Sequence, residues 1–416
     1  MKRLWPVILA VLFLAAPAAV QGQFTYTTNN GTVILTAYHG TSGTVVISNF
    51  VNVITNYVFY NCSTLDNLTI PASVTSIGDL EFYDCQNLSS VTLGGGVTNM
   101  GGYAFGNCSS LTNASISNGV TSLGDYAFYD CTNLPGVTIP ASVASIGAYA
   151  FEYCSNLAFV TLAGGVTNMG QYAFGNCTSL TNATLSNGVA CLGDHAFYDC
   201  SSLRGIAIPA SVTNIGQFAF SACASLASAV FAAGVNGIGA YAFYECPGLA
   251  GVTISASVGS IGTYAFYDCP SLSNLTIPAG VTNIGAYAFS DCASLLGVYF
   301  TGNAPVIGTN VFFGESASVY YLPNTSGWSG GITGLSPILW NPGIQTGAGN
   351  FGVQSSQFGF NITNTANLTV VVEVCTNLAS KVWVPLATNT LVNGLFYFSE
   401  PVQTSFAGRF YGLGVP

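Results

Sequence analysis

The chain has 416 residues, of which 5% are charged and 50% are hydrophobic, and its formal net charge is −10. Nucleic-acid binding requires a basic surface to neutralise phosphates, and beyond Lys2 and Arg3 the basic residues are Arg204, Lys381 and Arg409, which excludes that class. After residue 20 no run of about 18 apolar residues occurs, so no membrane span is expected in the mature chain.

Residues 1–22 read as a secretory signal peptide. Lys2 and Arg3 form the positive start, Leu4 to Ala16 the apolar stretch, and small residues follow, with cleavage expected after Ala18 or near Gly22. No Cys follows the leader, so a lipid anchor there is not expected. Its removal would leave 15 acids against three bases. Residues 23–50 alternate as β-strands do, with Asn30-Gly31 as a hairpin turn. Val45 and Ile47 fall in register with Leu68 and Ile70, so this segment is expected to be a half-repeat that caps the N-terminal end of an array.

From Val51 to about Trp328 the chain repeats every 23 residues. Phe128 belongs to a column running from Phe59 to Phe312, Cys131 to one from Cys62 to Cys292, Leu134 to one from Leu65 to Leu295, and Gly147 to one from Gly78 to Gly308. Twelve units begin at Val51 and every 23rd residue after it; the last, at Ala304, has lost its Cys and its Leu. Residues 97–119 return almost unchanged at 166–188, which points to growth by copying a three-unit block. A period of this length predicts a solenoid whose units bury their apolar faces against one another. Val137-Thr138-Ile139 alternates in, out, in, as a short parallel strand does. Pro140-Ala141-Ser142 turns the chain, Val143 and Ile146 return to the core, and Gly147 permits a tight bend. Tyr149-Ala150-Phe151 is expected to form a single helical or 3₁₀ turn. Strands about 4.8 Å apart give an array of about 58 Å.

The pattern C-x-x-L-x-x-V-x-I-P-x-x-V-x-x-I-G-x-x-A-F resembles the bacterial leucine-rich repeat of the BspA-like (Treponema pallidum) type. The resemblance implies an α/β, mostly β, leucine-rich-repeat solenoid, right-handed and gently curved, with a parallel sheet on its concave side. It also implies an exported or surface-exposed bacterial protein, some relatives of which are adhesins for host proteins.

Thirteen Cys in an exported chain suggest disulfides, but eleven share one column. Column neighbours would lie about 4.8 Å apart with parallel Cβ vectors, whereas a disulfide needs Cβ atoms about 3.8 Å apart and facing. Buried thiols acting as small hydrophobes fit better. Zinc lacks a C-x-x-C and a His column, so no metal, cofactor or catalytic residue is assigned. Cys191 replaces a Ser or Asn of its own column, and Cys375 lies in the tail. His195 stands in a column of tyrosines and reads as a substitution in that ladder; His39 has no acid partner in sight. The G-x-G-x-x-G of Gly347 to Gly352 opens no βαβ unit and reads as chance, and Leu322 to Ser326 lacks the Gly and membrane segment of a sorting signal. The acid or amide before most column cysteines, such as Asp268 and Asp291, could hold calcium, but backbone satisfaction at a turn is the simpler reading.

Two surfaces could carry recognition. The outward strand positions form a threonine ladder (Thr69, Thr92, Thr138, Thr161, Thr184, Thr253 and Thr276), with Phe159 and Tyr299 as larger exceptions. The second is the column Tyr126, Tyr149, Tyr172, Tyr241, Tyr264 and Tyr287, since aromatic rows can stack on sugars or anchor a protein. After Trp328 the period disappears, and residues 340–416 are expected to form a small antiparallel β-sandwich that caps, anchors or binds. The function expected from the sequence is non-enzymatic binding or adhesion to a protein or glycan, secreted or at the cell surface. A structural envelope component and, more remotely, ice binding by the threonine ladder are the alternatives.

Overall fold

The computed structural model describes residues 23–41, 43–332, 334–346, 351–354, 356–364, 368–379, 382–402 and 409–416. The expected leader and residues 347–350 of the glycine motif lie outside the described residues.

The N-terminal strands Phe24–Asn29 and Thr32–Tyr38 pair antiparallel. Asn30 and Gly31 join them at φ 47° and 84°, the left-handed pair that a two-residue hairpin turn requires. Tyr38 stacks on Phe59 at 4.7 Å, with Phe24 edge-on to the same ring, so the hairpin covers the open end of the aromatic core. Strand Thr44–Val46 then pairs parallel with Asn67–Ile70, placing Val45 opposite Leu68.

Each unit that follows contributes a strand of four residues (three in Gly251–Thr253), a corner, a two-residue strand and a turn. In strand Gly136–Ile139, Val137 and Ile139 are buried and Thr138 is exposed, the alternation the sequence predicts. Its register against the next unit is a shift of 23 residues, with Val137 opposite Val160 and Thr138 opposite Thr161. The second strand, Ser145–Ile146 here, was not visible in the periodicity. It joins a separate sheet of nine such strands, running without a break from Ser122–Leu123 to Val306–Ile307.

The main strand ladder is interrupted. It breaks before Gly136–Ile139, before Gly205–Ile208 and before Asn274–Ile277. Each of these strands is followed by a proline (Pro140, Pro209 and Pro278) in place of an amide that could bond to the preceding strand, as Ala163 does to the Ile139 carbonyl at 3.0 Å; Pro71 follows Asn67–Ile70 in the same way, yet that strand keeps its pairing with Thr44–Val46. Proline removes that donor. The interruptions recur with the three-unit block of the sequence, leaving three-strand segments from Gly136–Ile139 and from Gly205–Ile208.

The turn after each glycine is not helical. Tyr149 (φ 60°) and Tyr153 (φ 61°) are both left-handed, and among the described residues the one 3₁₀ helix is Trp328–Gly330. The inversion redirects the backbone. Strand amides bond to the preceding unit, as Gly147 N does to Leu123 O at 2.9 Å, whereas Tyr149, Phe151 and Tyr153 donate forward to Gln171, Ala173 and Gly175 at 2.8, 2.8 and 3.1 Å. A helical turn would satisfy its amides internally and leave the neighbouring units unjoined on that side. Gly147 is required because a Cβ there would lie 2.5 Å from the backbone of Gly124 and Asp125.

Between the sheets and the turns runs a continuous core. The twelve phenylalanines from Phe59 to Phe312 stack with centroids 4.9 to 5.8 Å apart. Each buried ring contributes roughly 1.5–3 kcal/mol relative to exposure. At the far end Trp328 packs against Phe300 and Tyr321.

The tail forms two antiparallel sheets. One centres on Gln357–Thr363, paired with Gly343–Gln345, Gly352–Gln354 and Leu395–Pro401. The other centres on Thr369–Cys375, between Val384–Thr390 and Phe410–Gly414. They share a core of Phe360, Ile362, Val370, Val372 and Phe398, to which the solenoid adds Tyr299 and Tyr320.

Candidate binding surfaces

The strand face presents two outward columns. One is the threonine column; the other holds Asn67, Ser90, Asn113, Gly136, Phe159, Asn182, Gly205, Ser228 and Gly251. Neither column contains a charge. Phe159 belongs to the second column, because it lies opposite Gly136 and Asn182 rather than beside the threonines where the sequence reading placed it. Its ring lies over Gly136, where a Cβ would be 2.1 Å from it, and it is 47% exposed.

Tyr299 is a correction of a different kind. It does replace a threonine, opposite Thr276, but it is 2% exposed because the C-terminal sheets cover it. It stacks on Tyr320 at 4.9 Å, and burial pushes its phenol up to about 12 while the Thr369 hydroxyl hydrogen-bonds to it. Thr276 Oγ1 donates to the Pro416 carbonyl on the same face. This end of the strand face is thus already occupied by the chain itself, and Tyr299 is unavailable to a ligand.

On the turn side, Tyr103, Tyr126, Tyr149, Tyr172, His195, Phe218, Tyr241, Tyr264 and Tyr287 form one stack. Centroids are 4.2 to 5.1 Å apart and planes within 10° of parallel. His195 fills its place between Tyr172 and Phe218, with its pKa lowered by burial. Within the stack each ring's faces are taken by its neighbours, so Tyr126, Tyr149, Tyr172, Tyr241 and Tyr264 offer edges and hydroxyls outward, not platforms for sugars; Tyr287 closes the row. Every ring of the stack is also at positive φ, between 52° and 60°, which disfavours a residue with a Cβ.

The acid or amide before most column cysteines has the same cause. Asn107, Asp130, Asn176 and Asp199 lie at φ 49° to 57°, and Asn and Asp tolerate that region best. The residue type was a readable signal for a left-handed position, and the sequence reading missed it. No cluster of three or more metal-ligating side chains occurs among the described residues.

Column thiols are free and, from Cys85 to Cys292, buried. Each of these from Cys85 onward donates to a phenylalanine carbonyl 26 residues earlier, as Cys131 Sγ does to Phe105 O and Cys154 Sγ to Phe128 O, both at 3.2 Å. Burial raises the Cys131 and Cys177 pKa values, which suppresses the thiolate needed for exchange. Cys191 is exposed on the second sheet. Leu134 and Phe128 are wholly buried.

One acid sits inside the core. Glu81 replaces the alanine of its column and is fully buried, its carboxyl pushed up to about 9 by desolvation, with Oε2 accepting from Val58 N at 3.1 Å.

A parallel solenoid with this repeated Val–Ile–Phe–Leu core is a leucine-rich-repeat array, and its chemistry lies in the columns that face outward. The chain belongs to the BspA type leucine rich repeat family, whose six-copy model matches residues 37–158, 121–250 and 192–318, together more than half of the sequence. A leucine-rich repeat protein from Bacteroides ovatus has 22% identity and a TM-score of 0.52, over 77% of this chain and 98% of its own, and so shares the fold. A leucine rich cell surface protein from Faecalibacterium prausnitzii has 28% identity over 67% of this chain and 87% of its own, with a TM-score of 0.42. The T. pallidum leucine rich repeat protein has 29% identity over 45% and 90%, with a TM-score of 0.41. No curated protein matches the sequence. No helix among the described residues is long and apolar enough to cross a membrane.

Proposed function

We propose that this is a non-enzymatic recognition protein of the cell surface or secreted space, which holds a protein or glycan ligand on the open part of its strand face. The observation that carries the reading is the contrast along that face. Over Thr276 and Tyr299 the chain's own C-terminal sheets dock on it, whereas from Thr69 to Thr253 the same columns are open to solvent. Phe159, lying flat over Gly136 with Thr138, Thr161 and Asn182 around it, gives this open stretch one aromatic contact among hydroxyl and amide groups. Such a composition suits an uncharged or hydroxyl-rich ligand. The membership of a surface-type repeat family agrees with this reading.

The test is a binding screen of the full chain on glycan and protein arrays, repeated with Phe159→Ala. The expected result is a ligand whose affinity falls several-fold in the variant while the melting temperature is unchanged. Arrays blank for the native chain, or a ligand indifferent to Phe159→Ala, would sink the reading.

A further inference from the structure

The turn side differs from the strand face in charge as well as in shape. Of the 15 acidic residues, eleven lie in the turn segments: Asp79, Glu81, Asp84, Asp125, Asp130, Glu152, Asp194, Asp199, Glu245, Asp268 and Asp291. Glu81 and Glu152 are buried and the other nine are not. The solenoid's single base, Arg204, precedes strand Gly205–Ile208 and so lies on the other side. Among the described residues the one ion pair is Arg409 with Glu400 at 3.1 Å, in the tail. The turn-side acids have no counter-charge.

Tyrosine rings lie beside them. A second tyrosine column flanks the stack, and in it Tyr129 lies between Gly106 and Glu152, and Tyr198 between Gly175 and Ser221. Neither ring is stacked by a column neighbour; both meet the main row edge-to-face at 62–70°, with Tyr129 at 5.6 Å from Tyr126 and Tyr198 at 6.0 Å from Tyr172. Each precedes a half-buried carboxylate, Asp130 or Asp199, and the pair recurs 69 residues on as Tyr267 and Asp268, where the tyrosine ring instead stacks on Tyr244 at 5.2 Å. Tyr–acid pairs at a fixed interval along an uncompensated negative strip match one chemistry, a chain of spaced cations. Such a chain would meet tyrosine rings and carboxylates together.

We propose that the turn side between residues 125 and 291 is a docking strip for a lysine- or arginine-rich polypeptide segment. A second copy of this chain is not the occupant, because beyond residue 3 it carries three bases in all. Nucleic acid and anionic lipid are repelled by the same carboxylates. The strip is independent of the strand-face ligand, since the two surfaces share no outward residue.

The experiment measures binding of a fluorescent oligo-arginine peptide to the full chain by anisotropy at low and at physiological salt. The triple variant Asp130→Asn, Asp199→Asn, Asp268→Asn should weaken binding about tenfold; asparagine already stands in that column at Asn107 and Asn176, so the fold is kept. Tyr129→Ser with Tyr198→Ser should weaken it about threefold, and serine already stands at Ser221 and Ser290. Asp66→Asn, Glu373→Gln and Phe159→Ala should leave it unchanged. The proposal is overturned if native binding is absent at low salt, if the two tyrosine changes have no effect, or if Asp66→Asn or Glu373→Gln weakens binding as much as the triple variant. Loss of binding with Phe159→Ala would move the peptide to the strand face and overturn it equally.

Discussion

The strand face and the turn side are built from the same 23 residues, yet they differ in backbone, charge and what they offer a partner. On the strand face an ordinary parallel ladder displays neutral threonine, asparagine and glycine, and the chain uses part of that face to seat its own C-terminal sheets. On the turn side two left-handed residues per unit reverse the direction of hydrogen bonding, and tyrosines and acids accumulate there. The difference teaches that a repeat sorts chemistry by position. Each position becomes a column, and each column belongs to one side of the molecule.

The largest expected effects come from breaking the core that both sides share. Phe174→Ala, in the middle of the array, should cost about 3–5 kcal/mol in urea unfolding; Phe312→Ala, in the degenerate last unit, should cost clearly less. Equal costs would mean that the ladder does not distribute its stability along the array. Gly147→Ala should cost roughly 1–3 kcal/mol, because its Cβ would meet the backbone of the preceding unit.

Glu81 sharpens the comparison through pH. Its folded pKa, about 9, lies above the unfolded value. Between the two values the unfolded chain is ionised while the folded one holds the proton, so stability is greatest at low pH and falls as pH rises towards about 9. Glu81→Gln should flatten that slope in melting temperature against pH; an unchanged slope would assign it to other groups. Thiol chemistry gives a smaller, kinetic contrast. In the native protein a water-soluble thiol reagent should modify Cys191 quickly and the ten buried column thiols from Cys85 to Cys292 slowly or only after denaturation, and denatured protein should titrate as wholly unpaired. The smallest effect is expected from Pro209→Ala, which restores an amide opposite the Leu185 carbonyl. It should gain no more than about 1 kcal/mol while increasing hydrogen-exchange protection at the segment boundary.

Much of this was legible in the residues. The columns of Phe128, Cys131, Leu134 and Gly147 specified a solenoid because identical residues at a fixed interval can only stack on one another. The alternation of Val137, Thr138 and Ile139 specified the strand, and Asn30-Gly31 the hairpin. The helical reading of Tyr149 to Phe151 failed for a physical reason. Three residues carry no period, and the choice between a helical turn and a left-handed one depends on whether their amides bond within the unit or to the next. The acids before the cysteines carried that information, and their meaning became plain only with the φ values.

The sequence by itself determined the repeat, its core and its neutral or acidic outward residues, because those follow from spacing and side-chain type. Only the tertiary structure decided that Tyr299 is covered while Phe159 is open, since that depends on where the C-terminal sheets fold back over the solenoid. It also decided that the tyrosines face one another rather than the solvent, and that acids spread over 213 positions from Asp79 to Asp291 gather on one side. Those outcomes are set by contacts between residues far apart in the chain, which no local pattern contains.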